Sequence, residues 1–247
     1  SGDWSSDVCS SDLEARWLET FAGAVGPELP VSEEDGWRLY ALSRVLEVMN
    51  LTFQHGDGDG WSGPGLALGD VSAFATDLSL SVAAPRGYTP FECEIVGVVE
   101  ARDDSEEIRL AEVHWPSMLL GNMLVCRAGV TVCAGPRVMN PIVASSSTLY
   151  WAYRRRNRAH QDLSHGWGHN SQWRMSFRRD YQVGTRTFYN VDGRCDLAAN
   201  DLAIDEDFPL TQAERVELLV NRCLILTTKP SHDLWPYDDR IAINAGA

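Results

Sequence analysis

Lysine is nearly absent. Lys229 is the single one in 247 residues, and the other 20 basic residues are arginines. A GC-rich coding sequence gives this bias without functional cause, but it leaves almost every cation able to make planar, bidentate contacts with carboxylate or phosphate. Long apolar runs are also missing. The best, Met118 to Cys126, is broken by Gly121 and Asn122, and a membrane helix needs about 18 residues. No membrane association is expected. There is no C-x-x-C, G-x-S-x-G, H-E-x-x-H or P-loop, so the familiar redox, hydrolase, zinc-protease and nucleotide signatures are excluded. Positive charge is scarce: the net charge is −14, which argues against a protein that coats nucleic acid with its whole surface.

Gly2 to Leu13 reads GDWSSDVCSSDL and resembles the conceptual translation of a common sequencing adapter. Residues 1–13 are therefore set aside from fold reasoning, and Trp4 and Cys9 with them. Because the native start is then uncertain, a signal peptide is not excluded by the sequence. The remainder carries 21 basic and 32 acidic residues, a net −11, and reads as one α+β domain over 14–247. Five cysteines remain (Cys93, Cys126, Cys133, Cys195, Cys223). An odd number at irregular spacing is a poor disulfide framework and suits buried thiols in a reducing cytoplasm.

The periodicity predicts a helix over Leu13–Val25, stopped by Gly26-Pro27, and another from the cap Ser32 to about Phe53. The second has apolar residues over so wide an arc, Trp37 and Val45 included, that it is expected to be mostly buried. Thr148–Leu163 also reads as a helix. The capping box Thr211-Gln-Ala-Glu214 starts one running through Cys223. Strands are predicted from Asp77 to Pro85, Phe91 to Arg102, Ile108 to Trp115, Leu124 to Val132 and Trp173 to Val183, the last returning after Gly184-Thr185 as Arg186–Val191. The second and third are expected to pair as a hairpin. Beyond about 229 the chain reads as coil. The expected fold is thus α+β, with a largely antiparallel sheet built from hairpins and about four helices.

Charge is segregated. Residues 150–194 hold nine arginines and three acids, a local +6, against −17 for the rest of the native-like chain. Aromatics are interleaved with them. Such a segment can bind anions, stack bases or grip a partner, although internal pairing with the surplus carboxylates is the default reading. The candidate ligand-binding residues are Arg154, Arg155, Arg158, Trp167, Arg174 and Arg178. Arg174 and Arg178 share a strand face in this reading and are placed to hold one anion. His160, His165 and His169 cluster in the loop before that strand, with His165 and His169 as candidate acid–base residues. Their spacing matches no recognised zinc motif, and no metal or cofactor is expected. The glycine-rich loop His55–Asp70 gives only weak dinucleotide and calcium resonances: it follows a helix, and Leu68 stands where a calcium loop needs glutamate. Asp103-Asp104 and Asp238-Asp239 read as solvated acids, and Asp233–Asp239 as a docking segment or a tail folded on its own domain.

These features favour a soluble, cytoplasmic binding protein, whose partner is a protein or a small anionic ligand. An enzyme acting on a phosphate-bearing substrate is the first rival, and a nucleic-acid binder through 150–194 the second.

Overall fold

The computed structural model describes residues 10–23, 26–56, 61–151, 155–158, 177–199, 210–228 and 237–244. They form a mixed α+β fold with two sheets, mostly antiparallel. The helices are α1 (Ser10–Ala22), α2 (Glu33–Met49), α3 (Leu68–Asp77), α4 (Pro141–Ser146) and α5 (Gln212–Asn221), with a 3-10 turn at Asn50–Phe53. The strands are β1 (Ser81–Ala83), β2 (Cys93–Glu100), β3 (Arg109–Trp115), β4 (Ser117–Leu120), β5 (Met123–Cys126), β6 (Ala128–Ala134), β7 (Asp180–Val183), β8 (Arg186–Tyr189), β9 (Cys195–Asp196) and β10 (Asp239–Asn244).

Local signals set several elements. The Ser32 hydroxyl accepts the Asp35 N–H at the start of α2, as its cap position predicts. Thr211 and Glu214 satisfy each other's backbone N–H groups at the start of α5. Gly184 has φ +60° in the β7–β8 turn, where a two-residue hairpin needs a left-handed residue.

The larger sheet runs β1-β4-β5-β7-β8-β10-β9 and the smaller β2-β6-β3. The expected β2–β3 hairpin does not form. β6 lies between them, parallel to β2 and antiparallel to β3. The expected single strand Leu124–Val132 is two, because the chain leaves the larger sheet at Arg127 and enters the smaller one as β6. It crosses in the other direction at Pro116, which has no N–H to continue a ladder. The corner is fastened by Trp115, whose indole donates to the Arg127 carbonyl at 2.9 Å. A Cβ on Gly129 would stand 2.3 Å from that ring, so the close approach requires glycine.

Three cores follow from this layering. Leu39 and Leu46 of α2, with residues of α1 and α3, cover one face of the larger sheet at Met118, Met123 and Val125. Leu218 and Leu219 of α5 cover the other face at Leu124 and Tyr189. α4 packs on the smaller sheet with Ile95, Val130 and Val132. β5 is buried at every position because helices lie on both of its faces. Burying each such leucine stabilises the fold by about 1.5–3 kcal/mol.

Four further expectations are corrected. α2 is not buried all round: Leu39 and Leu46 are inside, while Trp37 is 43 % and Val45 47 % exposed. The expected helix over Thr148–Leu163 is absent wherever that stretch is described. Trp151 has φ +59°, and Arg155 and Asn157 are drawn across to the side chain of Glu94 and the carbonyl of Val96 on β2. The predicted strand Trp173–Val183 is described as a strand only from Asp180. The tail beyond 229 contains β10, which pairs with β8 and β9 through a short alternation around Ile241 and Ile243. Among the described residues no helix is long and apolar enough to cross a membrane.

Candidate functional site

Of the residues singled out by sequence, Arg154, His160, His165, Trp167, His169 and Arg174 lie outside the described residues. Arg155, Arg158 and Arg178 are described, and their guanidinium groups sit inside the fold. Arg155 donates to both Glu94 oxygens, with Nη2–Oε2 at 2.7 Å, and lies 3.8 Å from Glu47. Arg178 Nε donates to Asp180 Oδ1 at 2.8 Å, and Arg127 approaches the other oxygen at 3.4 Å. Arg158 donates to the Ala144 carbonyl. Arg178 is not on a solvent face, because residues 177–181 are buried one after another where the chain enters between layers.

This seam is rich in cations. Arg127, Arg158, Arg178 and Arg222 are buried, and the Arg155 side chain is largely covered, near Glu47, Glu94 and Asp180. Burial alone would raise the Glu94 carboxyl, but the charge and hydrogen bonds of Arg155 overcome it and hold the group at about 2. Asp180 is likewise lowered, with burial outweighed by Arg178 and Arg127. Glu47 goes the other way, burial prevailing over Arg155 and Arg44. Arg222 is pulled down to about 10 by burial and by its neighbours Arg127 and Arg178. Among the described residues, several guanidinium nitrogens have no hydrogen-bond partner: Nε and Nη1 of both Arg127 and Arg158, Nη1 of Arg178 and Nε of Arg222. Each such buried donor is costly.

An open pocket lies nearby, with a cavity of about 340 Å³. The first turns of α2 bring Glu33, Gly36 and Trp37 to one wall. Phe177 and Arg179, before and at the entry to β7, form the floor with Asn190 and Asp192, which follow β8. Trp151 and the Tyr237-Asp238 turn complete it. Trp151 and Tyr237 are 5.1 Å apart between ring centroids, and Tyr150 packs on both at 5.4 and 5.2 Å. Asn190, in a left-handed conformation (φ +50°), donates to the carbonyls of Tyr237 and Asp239 and so ties the tail to the floor.

Arg179 is the cation of this pocket, and it is committed internally. It donates to both Asp192 oxygens at 2.6 and 2.7 Å, to the Leu29 carbonyl at 2.8 Å and to the Tyr181 hydroxyl at 3.2 Å. Burial lowers its affinity for the proton, but the bonds to Asp192 more than restore it. Glu33, Asp192 and Asp238 supply carboxylates around the aromatic walls, Asp238 also pairing with exposed Arg194. Beside the pocket an open depression continues along α2 past Glu34, Trp37, Arg38 and Ala41.

Trp151, Phe177, Arg179 and Asp192 fall within the segment that the sequence marked. Trp37 and Glu33 do not, because Trp37 reads as a core position of α2. Of the acids expected to be solvated, Asp239 is instead buried and paired with Arg215, with Nε–Oδ2 at 2.7 Å, because β10 carries it into the sheet. Tyr237 and Asp238 show the segment 233–239 folding back on its own domain where it is described. The described cysteines are all free, and only Cys195 is not fully buried. Among the described residues, one grouping has the donor types for a metal, His55 with Glu112 and His114, on the smaller sheet. No protein-family model, curated protein or solved structure matches the chain.

Proposed function

We propose that this chain is an interaction protein whose pocket receives a cationic side chain, an arginine or lysine presented by a basic protein segment. The observation that carries the reading is the pocket's makeup. Trp37, Trp151 and Tyr237 offer aromatic surfaces, Glu33, Asp192 and Asp238 offer carboxylates, and the arginine on the floor is already engaged. A cation over aromatic faces gains roughly 0.5–2 kcal/mol, more as water is excluded. The −17 carried by residues 14–149 and 195–247 together supports the same reading, since a negative field steers a basic partner and disfavours an acidic one.

The test is tryptophan fluorescence titration with an arginine-rich peptide and its glutamate-rich counterpart. The basic peptide binds, the acidic one does not, and affinity falls with salt. Trp37→Ala and the double change Glu33→Gln plus Asp238→Asn each weaken binding at least ten-fold. Equal affinity for both peptides, or no change in either variant, sinks the reading.

One observation favours a second reading, an anionic ligand or substrate. The unpartnered nitrogens of Arg127, Arg178 and Arg222 are donors that an anion would satisfy. Thermal shifts with phosphate and nucleotides separate the two readings. A stabilisation by one anion that is lost in Arg178→Gln supports the second; a flat series leaves the first.

A further inference from the structure

We infer that His55, Glu112 and His114 form a binding site for a divalent transition-metal ion. It is independent of the pocket on α2 and stands or falls separately. The three residues are distant in sequence, and the fold brings them together. His55 follows the 3-10 turn Asn50–Phe53, which packs against β3, and Glu112 and His114 lie on β3 itself, an edge strand. One donor atom from each side chain lies within 4.8 Å of the others, and the two imidazole rings are 5.1 Å apart between centroids.

The donor set is two imidazoles and one carboxylate. It is the set that binds zinc or iron(II) while leaving further coordination positions open. Ligand atoms around a tetrahedral zinc stand roughly 3.4 Å apart, given bonds of about 2.1 Å. The separation of 4.0 Å between His114 Nδ1 and Glu112 Oε1 closes to this by rotation of the exposed Glu112 side chain.

Two further features distinguish the site from a chance grouping on the surface. His114 Nε2 lies 2.8 Å from Thr131 Oγ1 on the neighbouring strand β6. With that nitrogen donating to the hydroxyl, the ring is fixed and Nδ1 turns its lone pair toward Glu112 and His55, the arrangement in which an outer partner orients a metal-binding histidine. The β3–β6 ladder also shifts register on both sides of this region, between Leu110 and Glu112 and again between Val113 and Trp115. Such irregularities re-aim side chains along a strand. His55 and Glu112 are exposed, so an ion has an open path and solvent-facing positions left for water or a ligand.

The experiment uses the whole protein. Co²⁺ is titrated by visible absorption and Zn²⁺ by calorimetry. One equivalent of Co²⁺ binds with nitrogen and oxygen ligation, without thiolate charge-transfer bands, and Zn²⁺ displaces it. His55→Ala and Glu112→Gln, both at exposed positions that leave folding intact, each weaken Zn²⁺ binding at least ten-fold. Thr131→Val weakens it by about ten-fold without removing a ligand. Zn²⁺ affinity weaker than millimolar overturns the inference. So does binding that is unchanged in both His55→Ala and Glu112→Gln, which would assign the metal to cysteines or to other histidines.

Discussion

Arg178 and Arg179 are adjacent in the chain, both buried, and lead into the two regions that most repay comparison. Around Asp180, Arg178 and Arg127 converge on one carboxylate in a sealed seam, with guanidinium nitrogens left over. Around Asp192, a single arginine meets a carboxylate that is 53 % exposed, with Glu33 and Asp238 nearby and an open cavity above. Among the described residues, the seam has more cations than anions and is closed to solvent, while the pocket has more carboxylates than uncommitted cations and is open to it. The same residue types therefore carry different consequences. In the seam, charge constrains how the layers meet, and removing one partner strands another. In the pocket, charge is available to something outside.

The sharpest way to break this contrast is to neutralise each carboxylate in turn. Asp180→Asn leaves Arg127 and Arg178 uncompensated and costs about 3–5 kcal/mol, read from the urea unfolding midpoint. Asp192→Asn removes a half-exposed partner and costs about 1 kcal/mol or less by the same measure. Equal costs would erase the distinction.

Acid sharpens it next. Glu94 is held at about 2 in the fold against an ordinary carboxyl value near 4.5. Its folded-state value is depressed, so the stabilisation is present above the ordinary value and is lost as pH falls toward about 2. Roughly 3 kcal/mol is at stake in the seam between those limits. Melting temperature against pH from 6 to 2.5 should drop in the wild type, and Glu94→Gln should start lower and flatten the curve. The smallest effect belongs to the exposed pair Arg194–Asp238, both side chains more than 60 % in water. Arg194→Ala should leave the melting temperature unmoved.

How legible all this was depends on the range of the interactions. The caps at Ser32 and Thr211 are local chemistry and could be read directly. So could β2 and β3, which alternate or carry β-branched residues. Their pairing could not, because a strand's pattern records which faces are buried and not which strand lies beside it; β6 intervenes. The passage from one sheet to the other at Arg127 interrupts an apolar run without leaving a mark in it. The missing helix after Thr148 has the same origin: Glu94, more than fifty residues earlier, draws Arg155 out of any helical path. Part of the pocket was visible as an arginine- and aromatic-rich segment, yet its Trp37 wall comes from a helix that reads as core. His55, Glu112 and His114 have no spacing in common, so only the fold could assemble them.

The scarcity of lysine acquires a meaning in the seam. An ammonium ordinarily titrates near 10.4, about two below a guanidinium. The surroundings that pull Arg222 down would pull a lysine at that position down from a lower start, so it would hold its proton less firmly than the guanidinium does. Exchange between the two basic residues, harmless on most surfaces, would here turn a permanent charge into a conditional one. The position of Arg222 is thereby tied to one amino acid, whatever bias in the coding sequence first supplied it, and a gene drifting toward lysine codons would meet resistance there.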